Sequence, residues 1–259
     1  MKRFNVLGYV LVLQLCFVSI AFATTGYTLS AQTEPSLKEN TTSAVTLFLT
    51  DDGRAIVEND LKTVHTEKIH ALIIDPTLTD YQHIHPTVGK KAGEYVFNFT
   101  PHTQNNYRIW LDITPKNDAQ RYVIADMFGI NKNNPSVIKT LNLVTTIDGY
   151  DFKLKFDQPL KVGAHVMSTV IITDKNGKPV TNLEPIMEAF AHIVAFNEDY
   201  ETILHVHPMG SEPKDPALRG GPEIDFHLTP SKIGFIKIFV QVQINGKEIF
   251  APFGVEVTS

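Results

Sequence analysis

The chain has 259 residues, with 23 basic and 28 acidic side chains, and its formal net charge at pH 7 is −5. The charges are scattered rather than grouped, which argues against binding to nucleic acid or to an anionic membrane surface. A hydrophobic content of 43% is sufficient for a packed core, and the length suits one large domain or two small ones.

The N-terminus has the pattern of a secretory signal peptide. Two basic residues precede a mostly apolar run, residues 4–22, and a small-x-small pattern ends at Ala23. We expect residues 1–23 to be removed, which predicts a periplasmic or secreted protein with no membrane span after cleavage. Cys16, the one cysteine of the sequence, lies in this segment. The mature chain is therefore expected to lack disulfides and thiolate metal ligands.

Most of the remaining sequence is one module written twice. The matching segments are residues 37–53 with 160–177, 69–74 with 191–196, 83–86 with 205–208, 97–101 with 226–230, and 107–110 with 236–239. Matching segments in one order indicate an internal repeat.

The repeat and the composition together predict the domain organisation. Residues 24–36 are interpreted as a flexible N-terminal segment, in which Tyr27–Ser30 could add an edge strand. The first module is predicted over residues 37–130 and the second over residues 138–259. The Asn/Pro-rich stretch between them, residues 131–137, has the character of a linker.

Within each module, short segments rich in β-branched and aromatic residues are separated by Gly, Pro, Asn and Asp. Val45–Leu49, Tyr95–Phe99 and Phe235–Val242 are examples. No long segment keeps a helical period. The sequence therefore predicts an all-β protein made of two tandem small antiparallel immunoglobulin-like β-sandwich domains.

Three histidines recur at matching places, namely His70, His83 and His85 in the first module and His192, His205 and His207 in the second. The first and last histidine of each set are 15 residues apart. If each pair closes an antiparallel hairpin in that register, their Cβ atoms lie about 4.5–5.5 Å apart. The middle histidine falls on the same face because side chains alternate along a strand. Three imidazoles per module would then converge near the open end of a hairpin, at the sandwich rim, where solvent and a metal could reach them.

A single histidine on a strand is more often a hydrogen-bonded or exposed residue than a ligand. Here the same strand face carries Leu72, Ile74, Val194 and Phe196. Grouped imidazoles on such a face would repel one another when protonated and would be costly to desolvate. A metal removes that difficulty, so we interpret each triad as a metal site. Imidazoles suit Zn²⁺, Cu²⁺ and Ni²⁺ alike, and intrinsic affinity favours Cu²⁺.

Two further residues are candidate ligands in the second module. His227 lies on a strand-like segment where the first module has Asn98, so it could be a fourth imidazole. Met209 follows the last histidine motif and is a possible additional ligand. With His227, the second module is predicted to hold the stronger site.

The other histidines are interpreted as structural or surface residues. His65 and Met187 occupy matching positions and both can bind metal, but we interpret them as packing residues. His102 and His165 have no counterpart in the other module, and we expect them at the surface.

Three segments of the second module carry a family resemblance, namely residues 187–192, 204–208 and 220–227. They are similar to exported bacterial β-sandwich proteins of copper and heavy-metal handling, of the YtkA-like and copper-resistance carrier type. The resemblance implies His192, His205, His207 and His227 as candidate ligands. It also implies copper as the bound metal and an envelope metal transporter or oxidase as a partner.

Three classes of function remain open from the sequence. The leading one is a metal-binding carrier or sensor of the cell envelope, without catalysis. The second is a copper-dependent oxidoreductase or a zinc hydrolase with an open coordination position. The third is a structural or adhesive sandwich protein that binds no metal. The sequence contains no His-Glu-x-x-His motif, nucleophile elbow or phosphate-cradling glycine loop, which favours a non-catalytic role.

Cleavage after Ala23 makes Thr24 the first residue of the mature protein. Mass spectrometry of protein isolated from its native envelope fraction should detect an N-terminal peptide that begins at Thr24. An intact Met1 terminus in that fraction would contradict export by this route.

Overall fold

The computed structural model describes residues 26–129, 135–206, 208–210 and 212–259. The predicted signal peptide, residues 130–134 and His207 lie outside these ranges. Within them β-strands form nearly all of the regular secondary structure, with one 3-10 helix at Glu58–Asp60. No helix of the described part is long and apolar enough to cross a membrane.

The first module consists of two antiparallel sheets. Its strands are β1 (Tyr27–Glu34), β2 (Ser43–Asp51), β3 (Arg54–Ala55), β4 (Ile69–Ile74), β5 (Tyr81–Ile84), β6 (Thr87–Val88), β7 (Glu94–Phe99), β8 (Tyr107–Ile113) and β9 (Arg121–Met127). One sheet has the order β1-β2-β7-β6, with β3 paired to β2. The other has the order β5-β4-β8-β9, and we call it the first facing sheet.

The second module repeats this plan. Its strands are β10 (Val144–Ile147), β11 (Tyr150–Phe156), β12 (Val166–Asp174), β13 (Leu183–Glu184), β14 (His192–Asn197), β15 (Ile203–Val206), β16 (Glu223–Leu228), β17 (Gly234–Ile244) and β18 (Lys247–Val257). One sheet has the order β10-β11-β12-β16. The other, the second facing sheet, has the order β13-β17-β14-β15, with β18 paired to β17. The predicted all-β fold of two tandem antiparallel sandwiches is confirmed.

The N-terminal segment expected to be flexible contains β1. This strand pairs with β2 along its whole length, from Tyr27 opposite Asp51 to Glu34 opposite Ala44. Its alternate residues Leu29 and Ala31 are buried in the first sandwich core. Residues 27–34 are therefore an integral strand of the first module, because their apolar residues recur with the strand period of two.

A third apolar cluster lies between the two modules. Its buried members are Leu72, Ile74, Leu78, Tyr81 and Trp110 of the first module and Val194, Phe196, Phe235 and Phe239 of the second. Neighbours on β4 point alternately to the two sides, so Ala71 and Ile73 enter the first module's own core. Every residue of β4 and β14 is buried as a result. The two modules therefore pack through the sheet faces that carry the histidines.

Polar contacts at one edge hold the two facing sheets in position. Arg108 donates from Nη1 to the carbonyl oxygen of Tyr200 at 2.7 Å, and its guanidinium lies 4.8 Å from the Tyr200 ring centroid. The Tyr200 hydroxyl donates to the carbonyl oxygen of Ile74 at 2.9 Å. Asp126 fixes the other side of the guanidinium through two hydrogen bonds. These contacts join β4 and β8 of the first facing sheet to the loop between β14 and β15, beside the shared apolar cluster.

Phe196 is central to this shared cluster, with its ring 5.3 Å from Tyr81 and 5.4 Å from Trp110. We expect Phe196→Ala to lower the free energy of unfolding by about 3–5 kcal/mol, because it leaves a cavity in a packed interior. Leu141→Ala, at a side chain that is 63% exposed, should change it by less than about 0.5 kcal/mol. Denaturant unfolding of the full chain measures both, and equal effects would contradict a shared core.

Candidate metal centre

The histidines of the first module converge as the hairpin register requires. Ile74 lies opposite Tyr81, and the adjoining pairs bring His70, His83 and His85 to one face. His70 Nδ1 is 3.1 Å from His83 Nε2 and 3.2 Å from His85 Nε2. Three nitrogens bound to one tetrahedral ion at about 2.0–2.1 Å would lie about 3.3 Å apart. Two nitrogen pairs of this group, which we call the first-module triad, have about that spacing, and one nitrogen from each ring lies within 4.8 Å of the others, so the group could hold one metal ion.

Hydrogen bonds at the far side of two triad rings fix which nitrogen carries the proton. His70 Nε2 lies 3.2 Å from the carbonyl oxygen of Val64, and His83 Nδ1 lies 2.9 Å from Gln241 Oε1. Gln241 donates from Nε2 to Glu248 at 2.8 Å, which turns its amide oxygen towards His83. Both oxygens only accept, so His70 Nε2 and His83 Nδ1 carry the protons. In the neutral rings, His70 Nδ1 and His83 Nε2 therefore present lone pairs to the centre of the triad.

His192 and His205 of the second module are held in the same way. His192 donates from Nε2 to the carbonyl oxygen of Ile186 at 3.0 Å, and His205 donates from Nδ1 to Asp112 at 2.8 Å. Gln120 donates to both carboxylate oxygens of Asp112 at 2.8 Å. The second pair of rings is thus oriented by the same kinds of contact as the first.

The hydrogen bonds to the middle histidines cross between the modules. Gln241 of the second module holds His83 of the first, and Asp112 of the first holds His205 of the second. Asp112 and Gln241 occupy matching positions, each directly opposite the first histidine of its own module. Each module therefore supplies the residue that orients the middle histidine of the other.

His192 and His205 of the second module join the first-module triad in one cluster. The ring centroids of His70 and His205 are 5.8 Å apart, those of His83 and His205 are also 5.8 Å apart, and those of His83 and His192 are 5.9 Å apart. His70 is 3% exposed and His192 is 1% exposed. The sequence suggested one site at the solvent-facing rim of each module. The structure instead gathers the first-module triad, His192 and His205 between the modules, because the histidine faces pack against each other.

Burial keeps four of these rings neutral near pH 7. It lowers the pKa of His70 to about 4 and that of His85 to about 4, from an ordinary value of 6.5, and neighbouring histidines add to both shifts. The pKa of His192 is lowered to about 3, again chiefly by burial. Burial also holds the pKa of His83 well below the ordinary value. Neutral imidazoles are the form that binds a metal.

A surface cleft connects the cluster with solvent. It is lined by Val64, Lys68, His70, Asp112, Ile113, Thr114, Gln120 and His205. The cleft therefore reaches one histidine of each module.

The structure does not bring His227 to this cluster. Its strand, β16, belongs to the sheet of the second module that lies away from the interface. Its neighbours Phe226 and Leu228 are buried in the sandwich core, so the His227 side chain points to the opposite side. The ring stacks on His165, with centroids 4.1 Å apart. The expectation that His227 strengthens the site of the second module therefore has no support in the geometry.

The remaining sequence-based candidates lie outside the cluster or outside the described residues. Met209 is 51% exposed, and its N–H donates to the carbonyl oxygen of Asp225 at 2.7 Å. His207 is one of the residues that the structure does not describe. The His102 side chain is 62% exposed and pairs with Asp80, and His165 is also exposed, as the sequence predicts.

Sequence reasoning missed the residues that orient the rings. Asp112 and Gln241 interrupt strand segments that are otherwise mostly apolar, β8 and β17. Both are nevertheless buried, at 4% and 3% exposure. A polar residue in such a segment signals a buried hydrogen-bonding role, but not its partner.

The lowered pKa values predict how the metal-free protein responds to acid. The folded protein binds fewer protons than the unfolded chain below about pH 6.5, because burial opposes protonation of these rings. The stability present above pH 6.5 is therefore lost as the pH falls towards about 4, where the folded rings begin to accept protons. Denaturant unfolding at several pH values should show this loss. His192→Gln should weaken the pH dependence and His165→Gln should leave it unchanged; identical profiles for both would contradict this account.

Comparison with known proteins places the chain in a family. No curated protein matches it. Among solved structures, it is similar to trypsin-activated α2-macroglobulin from Escherichia coli, at 11% identity and a TM-score of 0.29, with 90% of this chain and 16% of that chain covered. The D00-D0 domain of intimin is matched at 12% identity and a TM-score of 0.25, with 89% of this chain and 100% of that chain covered. A β-glycosidase from Bacteroides vulgatus is matched at 12% identity and a TM-score of 0.22, with 90% of this chain and 25% of that chain covered.

The family match follows the internal repeat. Residues 22–126 and residues 145–259 each match the family described as "Domain of unknown function (DUF8832)". The two matched ranges coincide closely with the two sandwiches. The chain therefore belongs to the DUF8832 family and contains its domain twice.

Proposed function

We propose that the protein binds Cu²⁺ at the first-module triad and serves as a copper carrier or sensor of the cell envelope. The observation that carries the proposal is the 3.1 Å approach of His70 Nδ1 to His83 Nε2. Each of these nitrogens presents a lone pair, since the proton of each ring is committed to Val64 or Gln241. Neither ring can therefore donate a hydrogen bond to the other.

His85 removes only part of this conflict. Its Nε2 lies 3.2 Å from His70 Nδ1, and a neutral His85 has a single ring proton to donate. It can satisfy one of the two lone pairs and leaves the other. Protonation of a second nitrogen on either ring would place a charge in a buried group of imidazoles, which desolvation opposes. A cation bound by all three nitrogens would satisfy every lone pair at once.

The chemistry of the ligands supports copper over other divalent ions. The triad offers three imidazole nitrogens as ligands. Among the divalent first-row metal ions, Cu²⁺ has the highest intrinsic affinity for such ligands. The resemblance of the second module to copper-handling proteins points the same way. The expected export of a cysteine-free chain supports a role in the cell envelope.

The hydrogen bonds around the triad support a binding role with defined geometry. Outer partners that fix the tautomer of a ligating histidine contribute tenfold to a hundredfold to metal affinity. Val64, Gln241 and Glu248 are such partners here. Such partners are expected around a metal site, because they hold the lone pairs of the ligands towards one point. A histidine cluster with a purely structural role does not need its lone pairs to converge.

Copper titration in competition with a chelator tests the proposal. We expect His83→Ala to lower the affinity of the tightest Cu²⁺ site more than about a hundredfold. Gln241→Leu should lower it by about tenfold to a hundredfold, because His83 loses its orienting partner. His165→Ala, at an exposed histidine of the other sheet, should leave it unchanged.

Unaltered affinity in His83→Ala and Gln241→Leu would overturn the assignment of the triad. Metal analysis of protein isolated from its native compartment tests the identity of the ion separately. Copper in that sample would support the proposal, and zinc alone would overturn the copper assignment while retaining the metal site.

A further inference from the structure

We infer that a second metal site lies beside the first-module triad, formed by His65 of the first module with His192 and His205 of the second. The inference rests on the proposed function and deepens it, since the protein would then hold two ions in one centre. Neither His227 nor Met209 takes part in this site. Its ligands come from both modules, so it exists only when the facing sheets are packed together.

The rings of this second group are close but more widely spaced than those of the triad. The centroid of His65 lies 5.9 Å from that of His192, and His192 lies 6.1 Å from His205. Within the triad the corresponding distances are 4.8–5.3 Å. The second group must therefore contract on binding, which makes it the weaker of the two sites.

The ring orientations of His192 and His205 suit metal binding. His192 donates from Nε2 to Ile186 and His205 donates from Nδ1 to Asp112, so the other ring nitrogens, His192 Nδ1 and His205 Nε2, are the ones that a metal would bind. These are the same nitrogens that His70 and His83 present in the triad. A carboxylate on the outer nitrogen of His205 also raises the basicity of the inner one.

His65 is presented by a tight turn with an unusual sequence. Val64 and Glu67 exchange two backbone hydrogen bonds, at 2.7 and 3.1 Å, and the residues between them have positive φ angles of 48° for His65 and 68° for Thr66. Such turns favour Asn and Gly at these two positions, and a β-branched residue there is strained. The turn keeps a costly conformation that a more favourable sequence would avoid.

The same turn serves both groups of histidines. The carbonyl oxygen of Val64 holds His70 of the triad, while the next residue, His65, places its ring against His192 of the other module. The matching turn of the second module has Met187 at its tip, also with a positive φ of 48°. The tip of this turn therefore carries an imidazole in the first module, where it contacts His192, and a methionine in the second.

The charges around His65 also favour a cation. Burial lowers the pKa of His65, and the neighbouring His205 adds to the shift. The carboxylates of Glu212, Glu188 and Asp112 act in the opposite direction. The imidazole is thus neutral, as a ligand must be, while nearby negative charge attracts a metal ion.

Metal stoichiometry of the full mature chain tests the inference, with Cu²⁺ alone as the probe. The unmodified protein should bind two ions, and the electron paramagnetic resonance spectrum should show dipolar broadening between them. His65→Asn retains a residue that tolerates the left-handed conformation but removes the imidazole. We expect it to lower the affinity for the second ion at least about tenfold and to abolish the broadening. His192→Ala should have the same effects, and His227→Ala should have neither.

The variants separate this inference from the proposed function. A single ion that requires His83 but neither His65 nor His192 would overturn the second site and leave the triad in place. Two ions in His65→Asn with unaltered affinities would show that His65 is not a ligand, and no binding by the unmodified protein would overturn both proposals.

The thermal unfolding midpoint of metal-free His65→Asn should be no lower than that of the unmodified protein, because the turn is relieved of strain. A lowered midpoint would mean that His65 has a structural role instead.

Discussion

The packing of two histidine-bearing sheet faces against each other is the constraint on which the rest of the structure depends. Strand alternation commits Ala71 and Ile73 to the core of the first module, so the other residues of β4 must be covered from outside. The second module covers them with Val194, Phe196 and Phe239. Burial of these apolar side chains stabilises the interface, and it offsets the cost of enclosing several imidazoles in the same surface.

Each module supplies the residue that orients the middle histidine of the other module. The two modules use an acid and an amide for this purpose, at swapped positions. Asp112 of the first module corresponds to Gln241 of the second, and Gln120 corresponds to Glu248. Each module therefore has one acid and one amide, but the two positions are swapped. In the first module the acid contacts a histidine of the other module, and in the second the amide does so. Each amide is also held by its own acid. Each middle histidine thereby has a hydrogen-bond partner from the other module, a carboxylate for His205 and an amide oxygen for His83.

The sequence predicts the parts of this arrangement that depend on local periodicity. Alternating apolar residues indicate the strands, and the equal spacing of the histidines predicts the hairpin register that places Ile74 opposite Tyr81. The packing of the modules depends on long-range contacts and has no local signal, so the sequence suggested sites at two separate rims. His227 was expected in the site because it lies in a matching segment at the position of Asn98, but a repeat does not tell which sheet a strand joins. The sequence interpreted His65 as a packing residue, and its ring lies against His192 of the other module, a contact that no local pattern predicts.

The inverted acid and amide pairs have a consequence for the symmetry of the centre. A homodimer of either module would surround its two groups of histidines with identical neighbours, and both groups would have the same affinity for an ion. The fused chain places a carboxylate beside His205 and an amide beside His83, so the two halves of the centre are inequivalent. Two ions bound there would load stepwise, each over its own range of free metal concentration. The difference between Asp112 and Gln241 would thus make the proposed centre respond in steps to free metal, where a symmetric pair of sites would respond in one.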